Sequence, residues 1–186
     1  MRPSYLIIGA IILVVIYIVS VYNRLVSLRN RRENAFADID VQLKQRHDLI
    51  PQLVNAVKGY MKHEEGVLTK VTEARSRAMG ATTIDGKIAA EAELTQALRG
   101  LSIQVEAYPD LKASQNFMQL QEEISDVENK LASVRRFFNS ATKELNVAIE
   151  KFPNNIFAGM FGFTRQQMFD LGEDRATHEK APEVKF

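Results

Sequence analysis

The chain has no cysteine and no tryptophan among its 186 residues, nine glycines, five prolines and a formal net charge of +1. Without cysteine there are no disulfides, thiolate metal sites, cysteine nucleophiles or lipoprotein-type acyl anchor. The scarcity of glycine and the lack of tryptophan argue against a β-rich fold with many tight turns. Near-neutral charge gives no global electrostatic reason to expect nucleic acid as a partner. What remains is a folded protein's composition, 46% hydrophobic and 25% charged, in a length suited to one domain plus an appendage.

Charge is missing altogether from YLIIGAIILVVIYIVSVY, Tyr5 to Tyr22. These residues, about 18 in number, rise roughly 27 Å as a helix, close to the hydrocarbon thickness of a bilayer. Tyr5 and Tyr22 stand at its ends, where amphipathic rings favour the headgroup region. Arg2 is the one basic residue before the run and no small-x-small site follows it, so it reads as an uncleaved anchor rather than a signal peptide. Arg24, Arg29, Arg31 and Arg32 follow the span. The positive-inside rule therefore puts the N-terminus outside and everything after Asn23 in the cytoplasm. Gly9 is alone in the span, so no GxxxG pattern points to dimerisation through it.

Strand-type alternation is nowhere evident, and the remainder has helical periodicity. Phe36, Ile39, Leu43, Ile50, Leu53, Val57, Leu68 and Val71 recur at helical spacing, with no strong breaker before GATTIDG at 80–86. A second helix is expected over Lys87–Ala107, then a proline turn in YPDLKAS, then a third helix from an N-cap at Ser114. In that third helix Phe117, Leu120, Ile124, Val127, Leu131, Val134, Phe138, Ala141, Leu145, Ala148 and Phe152 alternate steps of three and four. Such a seam must pack on another helix.

A first helix continuous from Arg24 to Met79 would span roughly 84 Å, against roughly 32 and 57 Å for the other two. Either those two return along it with a jog at Tyr108–Pro109, or the chain reverses there in an up-down-up bundle. Both arrangements are all-α: an N-terminal transmembrane helix followed by an elongated antiparallel helical bundle. The expected organisation is an anchor over 1–23, a bundle with a short aromatic segment over 24–172, and a flexible polar tail over 173–186.

RHDLIPQLVNAVKGYMKHEEG at 46–66 gathers histidines and acids, but it fails as a site. HExxH places two imidazoles on one helix face, whereas here Val67 stands where the second histidine would be. His47 and His63 would point about 160° apart and lie roughly 24 Å apart on a straight helix. The chain contains no Glu-x-x-His pair, nucleophile elbow or phosphate loop, and the third-helix seam carries no acid. His178 falls in the polar tail. No catalytic, metal or cofactor residues are therefore assigned, and no cofactor or small-molecule substrate is expected.

Three other features of the first helix stand out. Pro51 withholds a backbone donor from the carbonyl of His47, so the helix should kink there, either as a fixed bend or as a hinge. Arg46 and Glu64 sit on the apolar face about 27 Å apart, too far to pair with each other. On the hairpin register Glu128 falls within about a turn of Arg46, which makes Arg46–Glu128 a candidate buried ion pair.

Several stretches together resemble the LemA family of bacterial membrane proteins: the single N-terminal span, LKQRHDLIPQLVNAVKGYMKHE, YPDLKASQNFMQLQEEISDVENKLASVRRFFN and FPNNIFAGMFGF. The usual pattern has tyrosine before each of two asparagines; here Phe138 precedes Asn139 and Leu145 precedes Asn146. The resemblance implies a short outer N-terminus, one span of the bacterial cytoplasmic membrane and a cytoplasmic four-helix bundle. It carries over no catalytic residues. One branch is associated with magnetosome membrane formation, and a genomic association links the family to membrane metalloproteases of the heat-shock type.

The segment FPNNIFAGMFGFTRQQMFDL holds Phe152, Phe157, Phe161, Phe163 and Phe169, half of the ten phenylalanines, with Met160 and Met168. It either caps the apolar end of the bundle or presents Phe157, Met160, Phe161, Phe163 and Phe169 to a partner or a membrane interface. The expected function is a non-enzymatic membrane-anchored scaffold of the cell envelope, with the lipid bilayer and either itself or a membrane protein as partners. The alternative is an adaptor regulating a membrane enzyme such as a metalloprotease.

Overall fold

The computed structural model describes residues 3–61 and 64–169. His63, His178 and the tail at 173–186 lie outside the described residues, as does the side chain of Tyr5. Among those described there are six helices: α1 Pro3–Lys58, α2 Glu65–Gly80, α3 Ile84–Val105, α4 Pro109–Lys112, α5 Gln115–Glu150 and α6 Asn154–Met160. The protein is all-α. Its contacts divide it into two compact units, one formed by Met1–Ala37 with Phe137–Met168 and the other by Asp38–Arg136 with Phe169–Phe186.

In the second unit the sequence expectation of one helix running to Met79 gives way to a hairpin. The chain leaves α1 with the Tyr60 and Met61 amides bonded to Val57 O, and α2 comes back along it, placing Arg75 Nε 2.7 Å from His47 O. The physical reason is burial. A straight continuation would carry Leu68, Val71, Ala74 and Ala78 away from any partner, whereas the hairpin packs them with Ile50, Leu53, Val57 and Met61.

The chain turns again at Ala81, and Thr83 caps α3 by accepting from the Gly86 amide at 3.1 Å. Of the two arrangements left open at Tyr108–Pro109, the structure has the reversal. Arg46 touches both Glu91 and Glu128. One acid lies 14 residues before the end of α3 and the other 13 after the start of α5, so the two helices run antiparallel. The unit is thus four long helical segments, up-down-up-down, with the short α4 in the last turn, around Leu53, Val71, Leu94, Leu101, Leu111 and Phe117.

The first unit is built on α1 and α5 paired antiparallel. Phe36 meets Phe138 at 5.4 Å between ring centres, Arg32 Nε donates to Thr142 Oγ1 at 3.3 Å and Arg31 reaches Glu144 at 2.8 Å. Numbers fall along one helix as they rise along the other. Val21, Leu25 and Leu28 form the core with Leu145, Ala148, Ile149 and Ala158. The expected seam of α5 is buried or half-buried from Phe117 to Ala148. Its last member differs: Phe152 lies beyond the end of α5 and is exposed.

Candidate membrane interface

Before Val21, α1 leaves the core and exposes its apolar side chains on every side. Leu6, Ile7, Ile8, Ile11, Ile12, Leu13, Val14, Val15 and Ile16 are all exposed. In water each would forgo roughly 1.5–3 kcal/mol of burial. Among the described residues this is one helix long and apolar enough to cross a membrane, with a mean hydropathy of 2.5 in its most apolar window. Tyr5 lies in its first turns and Tyr22 is exposed at the far end.

The aromatic segment docks at that far end. Pro153 limits continuation of α5, and the Asn154 side chain donates to Ala148 O at 3.3 Å, satisfying a carbonyl near the end of α5. Tyr17 in turn donates to Asn154 Oδ1 at 3.3 Å, and its ring meets Phe157 edge-on at 6.3 Å. α6 closes with Gly162 at φ +72°, the Phe163 amide on Ala158 O at 2.9 Å and the Gly162 amide on Gly159 O at 3.3 Å. That is a Schellman cap, which needs the left-handed residue glycine supplies. The returning chain lays Phe161 and Phe163 on Tyr22 at 5.0 and 6.2 Å, with the Arg29 guanidinium 5.6 Å from the Phe163 ring.

The five aromatic-segment candidates therefore differ in their surroundings. Phe157 and Phe163 are half-buried in the first unit. Phe169 is buried in the second unit, where Arg135 sits 5.0 Å from its ring. Met160 is 75% exposed and Phe161 41%, joined by Phe152 at 74% and Ile156 at 53%.

Residues 163–168 are fastened by a clamp that the sequence reading missed. Buried Asn146 donates Nδ2–H to Gln166 O at 2.9 Å and accepts from the Gln166 amide at 2.8 Å. An asparagine among buried positions of a seam was the available signal, since a buried amide demands partners. Arg32 adds a hydrogen bond to Gln167 O at 3.2 Å and stacks 4.9 Å from the Phe138 ring. Arg32 is buried, so it differs from the expected basic flank. Arg24, Arg29 and Arg31 remain exposed.

The charges at 46–66 belong to an internal network of the second unit. Arg46 is 2% exposed; its Nη1 donates to Glu91 Oε2 at 2.8 Å and its Nη2 to Thr95 at 3.0 Å. Its Nε lies 2.7 Å from Glu128 Oε1, an ionic contact without the alignment of a hydrogen bond. The second oxygen of Glu91 lies 2.6 Å from His47 Nε2, which must carry a hydrogen there. Glu91, 1% exposed, is the central member. Sequence reasoning missed it, although it stands three residues before Leu94 on the apolar face of α3.

Nearby, burial pushes the Arg135 guanidinium below its ordinary value, the Glu128 charge opposes that shift, Arg46 adds to it and Glu91 opposes it. Pro51 lies inside α1, and the His47 carbonyl it leaves without a donor is the one that accepts from Arg75. Glu64 is half-buried, and its hydrogen bond holds the Tyr108 phenol above the ordinary value, with slight burial and the Glu64 charge acting the same way. A groove of about 430 Å³ beside Arg46 is lined by Leu53, Leu98, Phe117, Ile124 and Glu128. Each acid of the network faces a cation, so it reads as an internal tie between α1, α3 and α5. Among the described residues no group of three or more His, Cys, Asp or Glu is placed to hold a metal ion.

A sequence profile described as the LemA family matches residues 35–186, beginning after the apolar run. A relative named protein LemA, from Metamycoplasma hominis, is 30% identical over 155 residues, covering 81% of this chain and 69% of its own. Magnetosome protein MamQ of Magnetospirillum gryphiswaldense is 23% identical over 174 residues, covering 80% of this chain and 64% of its own. Magnetosome protein MamQ 2 of Paramagnetospirillum magneticum is 21% identical with the same coverage. This chain thus spans less than two thirds of the MamQ proteins it matches. With a profile match over most of its length, an all-helical bundle and one candidate membrane span, the chain belongs to the LemA family.

Proposed function

We propose that this protein is a non-enzymatic, membrane-anchored scaffold of the bacterial cell envelope, crossing the cytoplasmic membrane once and working through contacts made by its helical bundle. The observation that carries this reading is α1 itself. One helix, Pro3–Lys58, supplies both the exposed apolar run and core residues from Val21 to Val57. The acids and histidine with unusual burial are consumed by internal pairs, which supports a structural rather than a chemical use. Relatives named as magnetosome proteins support a role in bacterial cell organisation.

In this reading the N-terminus is outside and the bundle is cytoplasmic. Arg24, Arg29, Arg31 and Arg32 all count toward orientation, because the rule acts on the chain as it inserts, before Arg32 is buried. Light scattering on the full chain in lipid nanodiscs or mild detergent tests the scaffold. A defined oligomer formed by the pure protein is the expected result. A monomer at all concentrations would favour an adaptor, acting on a membrane enzyme that must then be present for assembly.

A further inference from the structure

We infer that the outer face of α6 is a lipid-contacting surface: Ile156 and Met160, with Phe152 in the turn before them, enter the interfacial region of the bilayer that α1 crosses. This inference rests on α1 being a membrane span. Ile156 and Met160 are four residues apart on one helix face and both exposed, while the opposite residues Asn154, Phe157 and Ala158 face α1 and α5. The packing fixes the depth. α6 is held against Tyr17 by the Asn154 hydrogen bond and the Phe157 ring, and against Tyr22 by Phe161.

Length then decides what surrounds it. Were α6 in bulk water, the bilayer would have to end near Tyr17. Tyr5 to Tyr17 is about 13 residues, roughly 20 Å, well short of a hydrocarbon core of about 30 Å. Extending the span to Tyr22 restores roughly 27 Å, and it brings α6 to the headgroup boundary. Amphipathic elements at that boundary bury their apolar face about 5–10 Å deep.

Charge agrees with this placement. From Lys151 to Met168 there is no acid; Arg165 pairs with Glu150 at 3.0 Å, which leaves exposed Lys151 as the basic residue beside this face, compatible with an anionic leaflet. A second copy of the chain fits less well. Three side chains fall far short of the roughly 800 Å² per partner that a stable protein interface buries. The tip of the α1–α5 pair would thus be attached to the membrane twice, once by the span and once by α6.

The absence of tryptophan allows a direct test. Single substitutions Ile156→Trp and Met160→Trp are made in the full chain, with Leu13→Trp as the span control and exposed Ile103→Trp as the water control. Each is reconstituted in phosphatidylcholine–phosphatidylglycerol vesicles carrying phosphatidylcholine brominated either near the headgroup or near the chain end. Circular dichroism checks that helicity is retained. The expected result is that tryptophans at 156 and 160 emit to the blue of the one at 103 and lose about half their emission to the shallow bromines, consistent with burial of 5–10 Å. The tryptophan at 13 should respond most to the deep bromines.

If those at 156 and 160 behave like the one at 103 while the one at 13 is quenched, the proposal falls and the span stands. Blue-shifted emission that neither bromine quenches would mean a protein contact and would also overturn it. An unquenched tryptophan at 13 would overturn both readings.

Discussion

Glu91→Ala should be among the most destabilising single changes in the second unit. Glu91 and Arg46 are 1% and 2% exposed and 2.8 Å apart, and the other Glu91 oxygen holds His47. Removing one partner of a buried pair leaves an uncompensated charge, which typically costs about 3–5 kcal/mol. Here Glu128 still faces Arg46 from a side chain 37% exposed, so the loss belongs at the lower end, about 3 kcal/mol. For a chain of this size each kcal/mol shifts Tm by about 2–4 °C, which gives a drop of roughly 6–12 °C.

Thermal circular dichroism of the full chain in detergent reads this drop, with Glu93→Ala as the control. Glu93 makes a comparable pair with Arg77 at 3.0 Å, but both side chains are more than half exposed. Such a pair is worth about 0–1 kcal/mol, so its Tm should shift by no more than about 4 °C. The double change Arg46→Met with Glu91→Leu removes both charges and should recover to within about 1–2 kcal/mol of the native chain. Equal effects at positions 91 and 93 would refute the reasoning, as would a double variant no better than Glu91→Ala.

Three further outcomes follow from the geometry. Arg75→Met should cost about 1–2 kcal/mol in the native background and less beside Pro51→Ala, where the restored backbone amide at position 51 can return to His47 O; strict additivity in the double-mutant cycle would remove the link between them. Gly162→Ala forces a left-handed φ on an L-residue and should cost about 1–2 kcal/mol, with a Tm unchanged from native counting against the Schellman cap. The Tyr108 phenol is held above the ordinary 10.0 by Glu64, so the neutral form is favoured in the folded state. Its contribution is full below about pH 10 and lost as pH rises through the raised value. Subtracting the phenolate absorbance titration of Tyr108→Phe from the native one should leave a component above pH 10, and a component at or below 10 would contradict the contact.

The apolar run, the helical class and the α5 seam were legible because each is a local pattern. Charge is absent across Tyr5–Tyr22 and apolar residues recur at steps of three and four from Phe117. The reversal between α1 and α2 was not legible for the opposite reason. Gly59 is a weak breaker, and what forces the reversal is the need of Leu68, Val71 and Ala74 for a partner distant in sequence.

Hydrogen-bond accounting shows the same limit. Pro51 announces a carbonyl without a donor, but only the fold supplies Arg75 as the donor. Glu91 on an apolar face announces a buried charge, but its two partners lie on α1. The clamp between Asn146 and Gln166 joins a helix to an irregular segment, for which no periodicity exists to read. Arg46 and Glu128 lie 2.7 Å apart with Glu128 37% exposed, so only the arginine end of that expected pair is buried, and the continuous helix to Met79 behind its register is replaced by the hairpin of α1 and α2.

The most direct test of the central reading uses the absence of cysteine. Ser4→Cys, before the apolar run, and Ser140→Cys, exposed on α5, are each the sole thiol of the full chain. In spheroplasts of a bacterial host, a membrane-impermeant maleimide should label the cysteine at 4 directly and the one at 140 only after lysis. Labelling of both without lysis, or of the cysteine at 140 alone, would contradict a single-span protein with its bundle in the cytoplasm.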